Sequence, residues 1–177
     1  GIAGNLRLHY PSWLVASIVG LLLVANIINI GADIGAMGDA VNLASRLEGL
    51  NKIYGTQIII SGDTAELVVG AFQLRELDLV RVKGRAQALR IHELIDVADR
   101  PLTDEHQRLL KLYEAGLHSY RERGWDQALD LFRQCLQLFP GDRPSLLMQS
   151  RCLSYRDKPP RLEWDGTFED RRGQHAK

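Results

Sequence analysis

MGDAVNLASRLEGLNKIYG, residues 37–55, is the stretch on which the reading of this chain turns. Leu43, Leu47, Leu50 and Tyr54 recur at i, i+4, i+7 and i+11, the spacing of a helix with one apolar face. Asp39 is expected to cap its start and Gly55 to stop it. TQIIIS, residues 56–61, then reads as a short buried strand because of its β-branched run. SGDTAELVVG, residues 61–70, opens a short helix with Ser61 or Asp63 as cap and Glu66 available to the first turn. FQLRELDLVRV (72–82) and ALRIHELI (88–95) flank the turn Lys83-Gly84-Arg85-Ala86-Gln87, which predicts an antiparallel hairpin.

Further along, DVADRPLTD (96–104) reads as a linker containing Pro101. Residues 107–145 then show helix, turn, helix. Leu109, Leu112, Tyr113 and Leu117 line one face of the first, and Ala128, Leu131, Phe132 and Cys135 one face of the second. Gly124 separates the two and Pro140 ends the pair. Two helices cannot bury both their faces, so a third, capping helix is expected over 144–156. The remainder, RLEWDGTFEDRRGQHAK (161–177), is polar and expected to be mobile.

Toward the N-terminus, WLVASIVGLLLVANIINIGA (13–32) carries no charge. About 20 helical residues cross about 30 Å of hydrocarbon, so the run reads as a membrane span. Arg7, His9 and Asp33 flank it, and Trp13 stands where an interfacial aromatic would. Asn26 and Asn29 keep a buried helix of a soluble core open as the alternative. A single N-terminal membrane helix with a cytoplasmic C-terminal part is therefore expected.

The 22 Lys and Arg balance 22 Asp and Glu, and no dense basic run occurs. Phosphate neutralisation needs a basic surplus on some face, so nucleic-acid binding is set aside. Cys135 and Cys152 form neither a disulfide framework nor a metal-ligand spacing, and the histidines do not cluster. A chain beginning with Gly rather than Met suggests a fragment or a processed product.

With GDAVNLASRLE (38–48) at the head of a helix, strand, helix and hairpin, residues 37–95 resemble the second half of class III adenylate and guanylate cyclase domains. That resemblance implies a partial ferredoxin-like half-domain within an α+β chain. It assigns transition-state roles to Asn42 and Arg46, and triphosphate contact to Lys83, with Arg85 as the less certain substitute. In the intact family ATP becomes cyclic AMP and pyrophosphate, with Mg or Mn, at the interface of a cyclase-domain dimer. The residue types suit that chemistry. The ribose 3′-hydroxyl attacks the α-phosphorus, and placement and nearby cations carry most of the help. Asn42 and Arg46 are four apart, on one helix face. A planar guanidinium fork suits phosphoryl oxygens better than an ammonium does. Read in isolation, Arg46 fits a surface ion pair, for example with Glu48 or a neighbouring strand, and Lys83 fits a solvated hairpin tip; inside the eleven-residue block Arg46 fits the catalytic role.

Two departures matter. The family's two metal-binding aspartates belong to elements expected before residue 37, and neither Asp33 nor Asp39 falls in those motifs. The base-reading position, seven before Asn42, is Gly35, which has no side chain to read a base. A cyclase remnant inactive by itself is the leading expectation, with no metal site in this chain.

Other resemblances frame this one. Gly116, Ala128, Phe132 and Pro140 stand at the spacing of a tetratricopeptide repeat, with Cys135 at a small-residue position and Tyr120 and Gly124 one residue late. PPRLEWDG (159–166) is similar to the ends of bacterial cyclases bearing a CHASE-type sensor. HYPSWLVASIVGLLLVANIINIGADIGAMGDAV (9–41) resembles the third membrane segment of Nramp-type metal transporters. There Asp33 would sit on a proton path, while Ala36 replaces a second acid. GAMGDAVNL (35–43) fits both families, which implies a junction there, either a recombined gene or a misassembled one. The expected divisions are 1–36 transmembrane-like, 37–97 partial cyclase, 98–104 linker, 105–157 helical unit and 158–177 tail. The competing function is a membrane-tethered interaction module using the helical unit. A fragment of a divalent metal transporter comes third.

Overall fold

A computed structural model of the chain describes residues 34–81 and 87–169, with side chains described from residue 41 onward. Its elements are α1 (Ile34–Tyr54), β1 (Ile59–Ser61), α2 (Gly62–Leu67), β2 (Phe72–Arg81), β3 (Leu89–Val97), α3 (Asp104–Arg121), α4 (Trp125–Leu138), α5 (Arg143–Asp157) and β4 (Phe168–Glu169). The strands order β1-β3-β2-β4. This is a mixed α+β chain, as the sequence predicts. The run 13–32 lies outside the described residues. Among those described, no helix is long and apolar enough to cross a membrane.

Two compact units divide the chain, Gly1–Arg75 with Ile91–Arg100, and Glu76–Arg90 with Pro101–Lys177. In the first, α1 packs on β1. Leu43, Leu47, Leu50 and Tyr54 form the buried stripe the periodicity predicts, each buried leucine worth about 1.5–3 kcal/mol of removed apolar surface. Gly55 stops the helix at φ 67°, and the Thr56 amide reaches back to the Asn51 carbonyl at 3.1 Å. A left-handed residue followed by a six-to-one bond is the Schellman ending, and it favours glycine because no Cβ opposes positive φ. The expected N-cap at Asp39 is corrected. The helix begins at Ile34, so Asp39 lies inside it, because the residues before it continue the helical run.

β1 pairs antiparallel with β3, Ile59 opposite Glu93 and Ser61 opposite Ile91. Ser61 is the cap of α2. Its Oγ accepts the Thr64 amide at 3.2 Å and bonds the Thr64 hydroxyl at 2.9 Å, so Thr64, not Glu66, completes the first turn. Ile60, Ala65 and Leu94 form a small core, covered by Ile58, Val68, Phe72 and Leu74. Arg75, buried in β2, reaches Glu93 at 2.5 and 2.9 Å.

The second unit holds three helices where the sequence predicts a hairpin and a cap. Thr103 caps α3 and Asp142 caps α5, each through a side-chain oxygen that accepts an amide three residues on. Leu109, Tyr113, Leu117, Ala128, Phe132, Cys135, Met148 and Cys152 are among the residues of its core. Gly116 lies where a Cβ would stand 2.8 Å from the Phe132 ring, so this crossing needs a residue without one. The helices are fastened to residues 76–81 of β2. The Tyr113 hydroxyl donates to the Leu77 carbonyl at 3.0 Å. Arg121 pairs with Glu76 at 2.5 Å, and Arg151 pairs with the fully buried Asp78.

The expectation of a mobile tail is corrected through residue 169. Trp164 enters an aromatic cluster with Tyr120, Trp125 and Tyr155, with ring centroids 5.3–5.8 Å apart. Phe168 lies under the Arg151 guanidinium at 3.6 Å, and β4 pairs parallel with β2, Val80 opposite Phe168. Two aromatic anchors in a polar segment hold it down, because buried aromatic area outweighs the segment's average polarity.

Candidate functional site

Helical geometry decides what α1 presents. Residues four apart are stacked on one face, whereas residues one apart are turned by about 100°. With Leu43, Leu47 and Leu50 turned inward, Asn42 is exposed and Arg46 half-buried. The two residues singled out from the sequence therefore share a face beside the core stripe, one turn apart. Arg46 does not pair with Glu48. Glu48 bonds Lys52 at 3.4 Å instead, since residues two apart on a helix point to opposite sides. Among the described residues no ion pair of Arg46 is found, and its guanidinium carries five N–H donors suited to an anion.

Gly35 lies in the first turn of α1, two turns before Asn42. Lys83 and Arg85 lie outside the described residues, so the structure brings together Asn42 and Arg46 but does not place the lysine.

A divalent ion needs hard oxygen ligands converging on one point, chiefly carboxylates. Among the described residues no three of His, Cys, Asp and Glu come together in a way that could hold one. Asp33 lies outside the described residues, and only the backbone of Asp39 is described.

The groups with strongly displaced protonation lie elsewhere, in the helical unit. Burial pushes the Cys152 thiol up to about 12, and burial likewise raises the Tyr120 phenol well above its ordinary range. Both favour the neutral form because a charge would be poorly solvated there. Neither belongs to the α1 face. Asp165 is displaced the other way: the Thr167 hydroxyl, 2.5 Å away, holds its carboxyl below the usual range. Sequence reading missed the arginine contacts on β2 and the tail. The one signal available was a carboxylate, Asp78, standing between Leu77 and Leu79 in β2.

No protein-family model matches the chain, and no solved structure does. Curated proteins do. The chain is 36% identical over 121 residues to a terminal-differentiation-specific adenylate cyclase of Dictyostelium discoideum, a match covering 67% of this chain and 6% of that protein. It is 44% identical over 70 residues to adenylate cyclase 1 of Rhizobium meliloti, covering 40% of this chain and 10% of the relative. Adenylate cyclase of Anabaena cylindrica is 43% identical over 65 residues, 35% of this chain and 13% of that protein. The chain thus spans a small part of each relative's length. The first match is longer than the whole stretch 37–97, so the likeness extends beyond the residues that carry the motif. Together these matches support a relationship between this chain and the adenylate cyclases.

Proposed function

We propose that the chain contributes a nucleotide-gripping face to a cyclase site that is completed by a partner. The observation that carries this is the pairing of exposed Asn42 with half-buried Arg46 one turn later on one helix face, in a chain related to adenylate cyclases. In this reading Asn42 orients the ribose, and Arg46 offsets charge growing on the phosphoryl oxygens as the 3′-hydroxyl attacks the α-phosphorus. Lys83 contacts the triphosphate. In this reading the metal-binding carboxylates come from a second cyclase domain, and the chain by itself turns over no ATP. The site has a base-reading position without a side chain at Gly35, so base choice also falls to the partner.

The competing reading, an interaction module, is less favoured by the geometry. Tyr113, Arg121 and Arg151 of the helical unit are already engaged by Leu77, Glu76 and Asp78 of the same chain.

A complementation assay tests the proposal. The chain is mixed with an intact class III domain whose own transition-state Asn and Arg are replaced, and cyclic AMP is measured with Mg or Mn. Activity should appear only in the mixture and should vanish with Asn42→Ala or Arg46→Ala. Removing one such stabilising group typically costs about 100- to 1000-fold. Turnover by the chain alone would overturn the partner requirement, and a mixture as inactive as its parts would overturn the composite site.

A further inference from the structure

The inner faces of α3, α4 and α5 are taken up by one another and by residues 76–81 of β2. The outer face of α5 is open. Arg143, Leu146, Ser150, Leu153 and Asp157 recur there at alternating spacings of three and four, so they form one stripe along the helix. All five are exposed, and the two leucines leave 41% and 40% of their surface to solvent. Among the described residues no further helix follows to cover them. The chain leaves α5 as a strap, residues 160–169, which β4 ties to β2 and Arg81 holds through Asp165 at 2.8 Å.

The charges at the ends of this stripe are set against the helix that carries them. Arg143 is the first residue of α5 and Asp157 the last, whereas a helix dipole favours an acid at its start and a base at its end. Among the described residues neither makes an ion pair within its own chain.

Against an antiparallel copy of α5 the same charges become favourable. Arg143 and Asp157 each stand seven residues from Ser150, so a twofold axis through Ser150 sets each arginine beside the aspartate of the copy. Each charge then also lies at the end of the copy's helix whose dipole it suits. The same axis sets Leu153 opposite the half-buried Leu147. Two serines meet at the crossing, where small side chains let helix axes approach closely. A surface that is complementary to itself in charge and in apolar contact is what an isologous pair requires.

We propose that the outer face of α5 is a self-association surface on which a second copy of the chain docks antiparallel about Ser150. This goes beyond the composite cyclase site and draws on neither α1 nor the hairpin turn. The 15 residues of α5 span about 22 Å, too little to bury the area of a permanent dimer. The contact is therefore a weak one, with a dissociation constant on the order of 100 µM.

Sedimentation velocity of the full chain tests it, and should show a monomer–dimer equilibrium between about 10 µM and 1 mM. Arg143→Asp and Asp157→Arg each place like charges together at both ends of the pair, and each should weaken association at least about fivefold. Both substitutions suit the dipole of α5 better than the native residues do, so the loss would not come from unfolding. An equal mixture of the two variants should associate as the parent does, because every opposed pair in the mixed dimer is then of opposite sign. A second readout needs no charge. Ser150→Cys lies on the axis, and diamide should join it to its own copy at least about tenfold faster than Lys111→Cys, an exposed position on α3. Cys135 and Cys152 are buried, so the introduced thiol is the one that reacts. A chain monomeric throughout that range would overturn the proposal. So would single variants that associate like the parent, a mixture as weak as its parts, or equal cross-linking at the two positions.

Discussion

Asp78→Ala is the most discriminating test of the second unit. Asp78 is fully buried and Arg151 nearly so, and the two side chains pair across 73 residues of sequence. Deleting the carboxylate takes away that counter-ion while the guanidinium stays in place. Breaking a buried pair by removing one partner costs about 3–5 kcal/mol, because a buried charge loses its compensation. Among the contacts that persist are the Phe168 face at 3.6 Å and the Met148 sulfur at 3.7 Å. A desolvated cation over an aromatic ring is worth about 2 kcal/mol, which places the expected loss near the lower end of that range. Most domains have only about 5–15 kcal/mol in all, so the variant should unfold at a clearly lower urea concentration. Tryptophan fluorescence follows this directly, since Trp125 and Trp164 both lie in the aromatic cluster of this unit. The companion Asp78→Leu with Arg151→Met removes both charges and should cost much less than Asp78→Ala, because desolvation is then no longer owed to either group. A loss under about 1 kcal/mol for Asp78→Ala, or a double variant as unstable as the sum of its singles, would refute the reasoning.

Gly116→Ala adds about 1 kcal/mol of helix propensity, but it drives a methyl to 2.8 Å from the buried Phe132 ring. Overpacking costs about 1–3 kcal/mol, so thermal melting should show a net loss, and a variant as stable as the parent would contradict the close crossing. Cys152, with its thiol pushed up to about 12, should resist alkylation at pH 8 in the folded chain and react readily once unfolded. Because its folded value is raised, its contribution to stability is complete below the ordinary thiol range and is lost as pH climbs toward 12. Asp165 behaves oppositely. Its carboxyl is held below the usual range by Thr167, so strap docking is favoured above that range and weakens as pH falls through the depressed value. Proteolysis of the tail should therefore accelerate in acid, and Asp165→Asn should flatten that acid step.

The sequence made the local architecture readable wherever one period governed a segment. Leu43, Leu47, Leu50 and Tyr54 marked the buried side of α1 because each lies on a single helical stripe, and that stripe fixes where Asn42 and Arg46 point. The first two helices of the second unit were readable for the same reason, with Gly124 and Pro140 as breaks, and the third was expected from the need to cover their faces. The start of α1 was not. A capping residue such as Asp39 competes with the helical tendency of whatever precedes it, and here the run from Ile34 prevails. The tail was misjudged because average polarity says little about a segment held by two side chains, Trp164 and Phe168. Of the candidate site, Asn42 and Arg46 fall on the described helix face while Lys83 lies outside the described residues.

Pairings such as Asp78 with Arg151, or Arg81 with Asp165, were beyond periodicity altogether, because nothing local in a strand states which distant helix will face it. Their arrangement explains why the helical unit is more than an appendage. A two-stranded hairpin is marginal in water until a second layer covers it. Here α3 and α5 provide that layer for residues 76–81, and they do so with directional contacts: a hydroxyl on the Leu77 carbonyl, an arginine on Glu76 and another on Asp78. Apolar burial alone would let helices slide along a strand by a residue at modest cost. A buried charge pair does not permit this, since a one-residue slip turns the carboxylate to the other side of the strand and strands both ions. The helical unit thus sets the register of β2 as well as stabilising it, and a chain that uses its helices in this way has committed their inner surfaces to its own sheet.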